Sequence, residues 1–212
     1  MKNSRERRPN GSDNPEIAAG EVFALGDHRL ACGDCRDTEL VRKLFSGWSE
    51  KFDLLLTDPP YGVDYVASKA GFAGISGNHA EIENDGLTDD ASYARFTEDW
   101  LSPVLSRFSD KNAAYVFNCD RMVFALREGM VSAGMKLSQL LVWIKDSAVI
   151  GRLDYLPQHE LIAYGWYGKH RFRGSKAKSV LAFPKTRKNT IHPTMKPLPL
   201  LREIILNSTE TG

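Results

Sequence analysis

The feature that most constrains this chain is the run at residues 54–62, Leu54-Leu55-Leu56-Thr57-Asp58-Pro59-Pro60-Tyr61-Gly62, an apolar strand that passes straight into an acid, two prolines and an aromatic. Neither proline has a backbone N–H and both fix φ near −65°, so a strand entering this run ends before it. The prolines form a rigid turn with bare carbonyl acceptors, a carboxylate on one side and a flat ring on the other. In open α/β sheets, chemistry collects where strands end in this way. The array suits an exocyclic amino group. If Asp58 and the Pro59 carbonyl accept the two N–H hydrogens of an aromatic amine, its nitrogen is free to pyramidalise toward an electrophile while Tyr61 stacks on the ring. Taken alone, the run also fits a Pro-rich turn that merely closes a strand.

The rest of the chain supplies an α/β setting. Short apolar runs predict strands at about 29–33, 52–57, 113–118, 137–144 and 160–166, and helical spacing predicts helices at about 37–46, 90–108 and 121–133, with Asp89 and Asp90 as N-cap candidates. Alternation of the two implies a mostly parallel sheet with flanking helices. The aromatic stripe Tyr93, Phe96 and Trp100 reads as core. Residues 1–21 are polar and Arg-rich, and are expected to be a disordered arm. The Gly-, Ser- and Asn-rich residues 63–89 are expected to form a lid loop.

At 212 residues, 42% apolar and 26% charged, the chain has the composition of one globular domain, and no uncharged apolar stretch approaches the ~20 residues that span a bilayer. Three cysteines, Cys32, Cys35 and Cys119, point to a reducing cytoplasm rather than a disulfide framework. Cys32-Gly33-Asp34-Cys35 has a C-x-x-C form, but no second pair or His cluster completes a tetrahedral site, so no metal is expected. The net charge of +1 hides an asymmetry: residues 145–196 hold 11 Lys and Arg against 3 Asp and Glu, while the remainder is acidic. That segment, with Arg152, Arg171, Arg173, Arg187 and Lys188 interleaved with Trp166, Tyr167 and Phe172, is suited to phosphates and groove edges, the alternative being a solvated basic face.

With these pieces assembled, the chain over about 22–212 resembles the amino-group DNA methyltransferases, specifically their circularly permuted β class, which make N6-methyladenine or N4-methylcytosine. The resemblance rests on Leu25-Gly26-Asp27-His28-Arg29-Leu30 with Cys32-Gly33-Asp34, on Asp58-Pro59-Pro60-Tyr61, and on Trp143-Ile144-Lys145. It rests further on Gln158-His159-Glu160, Tyr164-Gly165-Trp166 and His192-Pro193-Thr194-Met195-Lys196-Pro197. It implies a Rossmann-like class I methyltransferase fold, S-adenosylmethionine as cofactor and double-stranded DNA as partner, with Asp58, Pro59, Pro60 and Tyr61 as the catalytic motif. It also implies cofactor contacts from Asp34, Thr57, His192, Thr194 and Lys196, the last otherwise a surface lysine, and a helix at about 198–207. Asp at the first motif position favours adenine N6, because the cytosine enzymes of this family usually carry Ser there. C5-cytosine chemistry would need a cysteine nucleophile in a Pro-Cys motif, and none is present. His159 beside Glu160 reads as structural rather than as a general base. The target base lies inside the duplex and must be flipped out.

One part of the family pattern is missing. The Gly-rich strand-to-helix turn, which in this class comes about one helix after the His-Pro-Thr-x-Lys-Pro segment, is not in the sequence. The expectation is a fold lacking two central strands, completed by a missing segment or a second chain, with S-adenosylmethionine bound weakly by this chain alone. The alternatives are an N4-cytosine enzyme, a catalytically silent DNA-binding fragment, and an RNA or protein-glutamine methyltransferase. The last normally places its Gly-rich motif before the Pro-Pro-Tyr turn, and residues 1–57 hold none.

Overall fold

The computed structural model describes residues 17–63, 85–86, 89–150, 153–186 and 195–210. The chain divides into two compact units, Met1–Trp48 and Ser49–Gly212. In the first, β1 (Val22–Leu25) and β2 (His28–Ala31) pair antiparallel. Gly26, at φ +63°, takes the left-handed conformation in the two-residue turn between them, which L side chains avoid. Helix α1 (Thr38–Leu44) starts where Asp37 accepts from the Glu39 and Leu40 amides. Arg29 then lies over the Trp48 ring, 4.5 Å from its centroid, and donates to the Leu44 and Ser46 carbonyls.

The second unit carries β3 (Phe52–Thr57), α2 (Asp90–Leu101), β4 (Phe108–Asn118), α3 (Val123–Ser132), β5 (Lys136–Ile144), β6 (His159–Trp166), β7 (Lys169–His170), β8 (Val180–Ala182) and α4 (Leu198–Ser208). The sheet order is β3-β4-β6-β5-β8, with β7 added beside β4. β3 pairs parallel with β4, β6 pairs antiparallel with both β4 and β5, and β8 pairs parallel with β5. Along this path β6 alone therefore runs against the others, and the sheet is mixed though mostly of one direction. The helix expected over 90–108 stops at Leu101, because Pro103 has no N–H to continue the α-pattern and residues Ser102–Arg107 tighten into a 3-10 helix.

β4 shows how both faces are covered. Ala114 and Val116 point into a core with Tyr93, Phe96 and Trp100 of α2 and Leu126 and Met130 of α3. Ala113, Tyr115 and Phe117 point the other way, toward Trp143, Ile162, Leu181 and the Leu200 and Ile204 side chains of α4. Period-2 alternation buried on both faces is what a central strand between two helical layers requires. The two helices of the first layer approach closely: a β-carbon at Gly129 would run into the Ala94 carbonyl. Among the described residues, no helix is long and apolar enough to cross a membrane.

Candidate active site

The parallel pairing of β3 with β4 and the antiparallel pairing of β6 bring four chain positions to one edge of the sheet. Asp58 comes directly after the last residue of β3, Asn118 ends β4, Lys145 comes directly after β5, and Glu160 is the second residue of β6, paired with Trp143. Lys196 reaches the same place from the segment before α4, whose first turn begins after Pro197.

These side chains form one charged cluster. The Lys196 ammonium lies 2.7 Å from Asp58 Oδ2 and 3.2 Å from Glu160 Oε2, and Lys145 lies 2.6 Å from Glu160 Oε1. The Tyr61 hydroxyl bridges the two acids, 2.9 Å from Asp58 Oδ1 and 2.8 Å from Glu160 Oε2. Lys196 is only 8% exposed, and its Nζ sits 5.5 Å from the Tyr61 ring centroid and 5.1 Å from that of Phe117. A buried ammonium is tolerable only where carboxylates and ring faces replace its water, and here two of each do so. Burial, then the Glu160 and Asp58 charges, push the Tyr61 phenol well above its ordinary range, so the ring keeps its proton. For Glu160, burial alone would raise the carboxyl. The Lys196 and Lys145 charges overcome it and hold the group below its usual value, so it stays ionised.

The turn itself is pinned from its other side. The Pro60 carbonyl accepts from the Tyr93 hydroxyl at 2.8 Å, and Asn118 Nδ2 donates to that same hydroxyl at 2.7 Å. Asp85 Oδ1 accepts from the Gly62 and Val63 amides at 2.9 and 3.3 Å. No described residue donates to the Pro59 carbonyl. Asp58 is 36% exposed, and two of its roughly four lone-pair directions are taken by Tyr61 and Lys196. Among the described residues, an acceptor pair, Asp58 and the Pro59 carbonyl, thus remains open to an amino group, on a turn held by Tyr93, Asp85, Tyr61 and Lys196.

Of the residues expected at a site, the structure brings together Asp58, Pro59, Pro60, Tyr61 and Lys196, with Thr57 ending the strand beneath them. Asp34 belongs to the first unit, where Arg36 forks its carboxylate at 2.6–3.0 Å and holds it below the usual range. Arg171 and Arg173 fall elsewhere. Arg171 binds Asp53, near the start of β3, at 2.5 Å and Glu210 at 2.7 Å, and Arg173 also pairs with Glu210. They lie at the end of the sheet opposite Asp58, where these pairs tie the chain's later residues to β3. His192, Thr194, Arg152, Arg187 and Lys188 lie outside the described residues, as does most of the segment expected to be a lid. Among the described residues, no group of three His, Cys, Asp or Glu could hold a metal ion.

Sequence reasoning leaves Lys145 and Glu160 without a role, although both sit in motifs that carry the family resemblance. The signal available is positional: one sits just after β5 and the other opens β6, so a hairpin pairing of those strands sets them side by side. Tyr93 reads as core in the sequence, and its ring is fully buried; the function of its hydroxyl becomes visible only when α2 is docked against the turn.

A sequence profile of the N6/N4 DNA methylase family matches residues 52–212. No curated protein matches the chain. Among solved structures, the complex of M1.HpyAVI with SAM is similar over 82% of this chain and 74% of its own, at 18% identity and a TM-score of 0.55. The PvuII DNA methyltransferase, described as cytosine-N4-specific, is similar over 85% of this chain and 70% of its own, at 14% identity and a TM-score of 0.58. These likenesses agree with the class I methyltransferase architecture of the mixed sheet and its helices. With the profile covering nearly all of the unit that carries the Asp58-Pro59-Pro60-Tyr61 turn, and well over half of the sequence, this chain belongs to the N6/N4 DNA methylase family.

Proposed function

We propose that the chain transfers a methyl group from S-adenosylmethionine to the N6 amino group of a flipped adenine in duplex DNA. The observation that carries this reading is the paired acceptor at Asp58 and Pro59, fixed by Tyr61, Lys196 and Glu160 on one side and by Tyr93 and Asp85 on the other. The cofactor fits the charges present. The Asp58 carboxylate, partly exposed, and the Tyr61 ring face are groups that attract a positively charged sulfur. Thr57 and Lys196 in the described structure, together with His192 and Thr194, are the residues proposed to hold it. When bound, it supplies an electrophilic methyl group.

The chain's own residues do the positioning. Asp58 and the Pro59 carbonyl accept the two amine hydrogens and so direct the nitrogen lone pair out of the base plane. Tyr61, neutral at all working pH, offers ring area and keeps Asp58 from rotating. Glu160 is a positioning residue: it holds Tyr61 through the hydroxyl and Lys196 through its ammonium, and so fixes both partners of Asp58. Holding reactants in near-attack geometry supplies roughly 7–11 kcal/mol of a displacement barrier. Arg152, Arg187 and Lys188 are proposed to meet phosphates. A segment or second chain carrying the Gly-rich turn is proposed to complete the sheet beside β3, which has a neighbour on one side only among the described strands.

The test is methyl transfer to duplexes that differ only in offering adenine or cytosine, with the completing Gly-rich segment supplied and radiolabelled S-adenosylmethionine as donor. Label in adenine, lost with Asp58→Ala, is the expected result. The second reading, N4-cytosine, is favoured by the likeness to a structure described as cytosine-N4-specific, and label in cytosine would establish it instead.

A further inference from the structure

The loop between β5 and β6 leaves the sheet at the edge that carries Asp58, and its two stems are the cluster residues Lys145 and Glu160. The base of the loop is closed by backbone bonds from Lys145 N–H to the Gln158 carbonyl at 2.9 Å and from Val149 N–H to the Pro157 carbonyl at 2.8 Å, with Gln158 Nε2 donating back to the Lys145 carbonyl. Its tip has the opposite character. Ile150 is 70% exposed, Leu153 65% and Tyr155 93%, with Leu156 also exposed, so four large apolar side chains within seven residues face solvent. Isolated exposed apolar groups are ordinary, but a concentration on a loop whose base is hydrogen-bonded is not.

We propose that this tip is a wedge that enters the base stack of duplex DNA beside the target nucleotide, with Tyr155 as the stacking ring and Leu153 and Ile150 as the aliphatic flank. The inference rests on the DNA-modifying reading above, and it adds the surface that opens the duplex. Two observations favour a base stack over another occupant. The tip sits on the catalytic edge of the sheet, where an extruded base has to be received. And its stems are ion-paired to each other and to the residues that hold Tyr61 and Asp58, so the distance from wedge to acceptor pair is fixed by the cluster. Extruding a base costs a few kcal/mol, and an apolar wedge filling the vacated stack offsets part of that cost.

The experiment needs no knowledge of the recognised sequence. Binding of the full chain is compared by fluorescence anisotropy on a fully paired duplex and on the same duplex with one central mismatch, across a salt series. The expected result is tighter binding to the mismatched duplex, a preference that Tyr155→Ala with Leu153→Ala reduces roughly tenfold, the worth of one stacked ring. The slope of affinity against salt stays as in the wild type, because phosphate contacts are untouched. An unchanged preference overturns the wedge, as does a change in salt slope alone. Loss of self-association in the variant, seen by sedimentation, overturns it in favour of a second copy as the occupant. Absence of any duplex binding by the wild type removes the DNA reading together with the wedge, whereas an Asp58→Ala variant that still methylates removes only the former.

Discussion

Strand β3 has a carboxylate near each end, and the two are handled in opposite ways. Asp53 meets the planar guanidinium of Arg171 and the Ser109 hydroxyl, and Arg171 continues to Glu210, which is largely exposed. Asp58 meets the Lys196 ammonium and the Tyr61 hydroxyl, and these continue to Glu160 and Lys145, with both lysines nearly buried. The first arrangement uses arginine forks to tie distant chain segments together, with water screening the charges. The second rests on Lys145, Lys196 and Glu160, point charges withdrawn from water, whose positions are set by each other. A pair of the first kind contributes little and loses little when cut. A cluster of the second kind is costly to break, because each removed charge strands its partner in a dry place.

That contrast is open to attack from both ends. The largest effect is expected for Glu160→Ala, which leaves Lys145 and Lys196 facing each other; a stability loss of about 3–5 kcal/mol should appear in denaturant unfolding, against little change for Glu210→Ala at the other edge. Glu160→Gln sharpens the point through pH. The folded carboxyl lies below its ordinary range, so its contribution is complete above that range and is lost as pH falls through the lowered value. The wild type should therefore lose stability as pH falls through and below the ordinary carboxylate range, and the glutamine variant should lose less of it.

Next in size, Asp58→Ala should cut methyl transfer by about 10²-fold or more, while Asp53→Ala leaves the rate near wild type, as read by label incorporation. Tyr93→Phe removes the hydroxyl shared by the Pro60 carbonyl and Asn118; a stability loss of roughly 1–2 kcal/mol is expected, with KM changing less than kcat because the turn loosens. The smallest effect belongs to Arg171→Ala, under about 1 kcal/mol, with duplex binding unaltered; a drop in the salt slope would restore Arg171 to the DNA surface.

Much of the sheet is legible in the sequence because its strands carry the pattern themselves. Residues 52–57 form β3 as expected, since an apolar run stopped by Pro59-Pro60 has few other outcomes. β4 begins five residues earlier than its apolar stretch, at Phe108, because Ser109 to Asn112 find partners in distant segments, on β3, on β7, at Tyr167 and at Arg171. β1, β7 and β8 have no such signal: strands of two to four residues show no period and exist only through their partners. Within the second unit, Arg171 and Arg173 show the limit from the other side. Their charge is plain in the sequence, but whether it faces a polyanion or a carboxylate depends on which residues the fold places opposite.

The sequence alone determined the chemistry at the end of β3: two prolines cannot continue a ladder or donate a hydrogen, so an acid, a bare carbonyl and a ring had to emerge there together. Only the tertiary structure decided what surrounds them. Lys145, Glu160 and Lys196 are separated from Asp58 by 87 to 138 positions, and nothing local says that they meet. They meet because β6 runs against its neighbours and returns the chain to the same edge, where the buried lysines pair with Glu160 and Asp58.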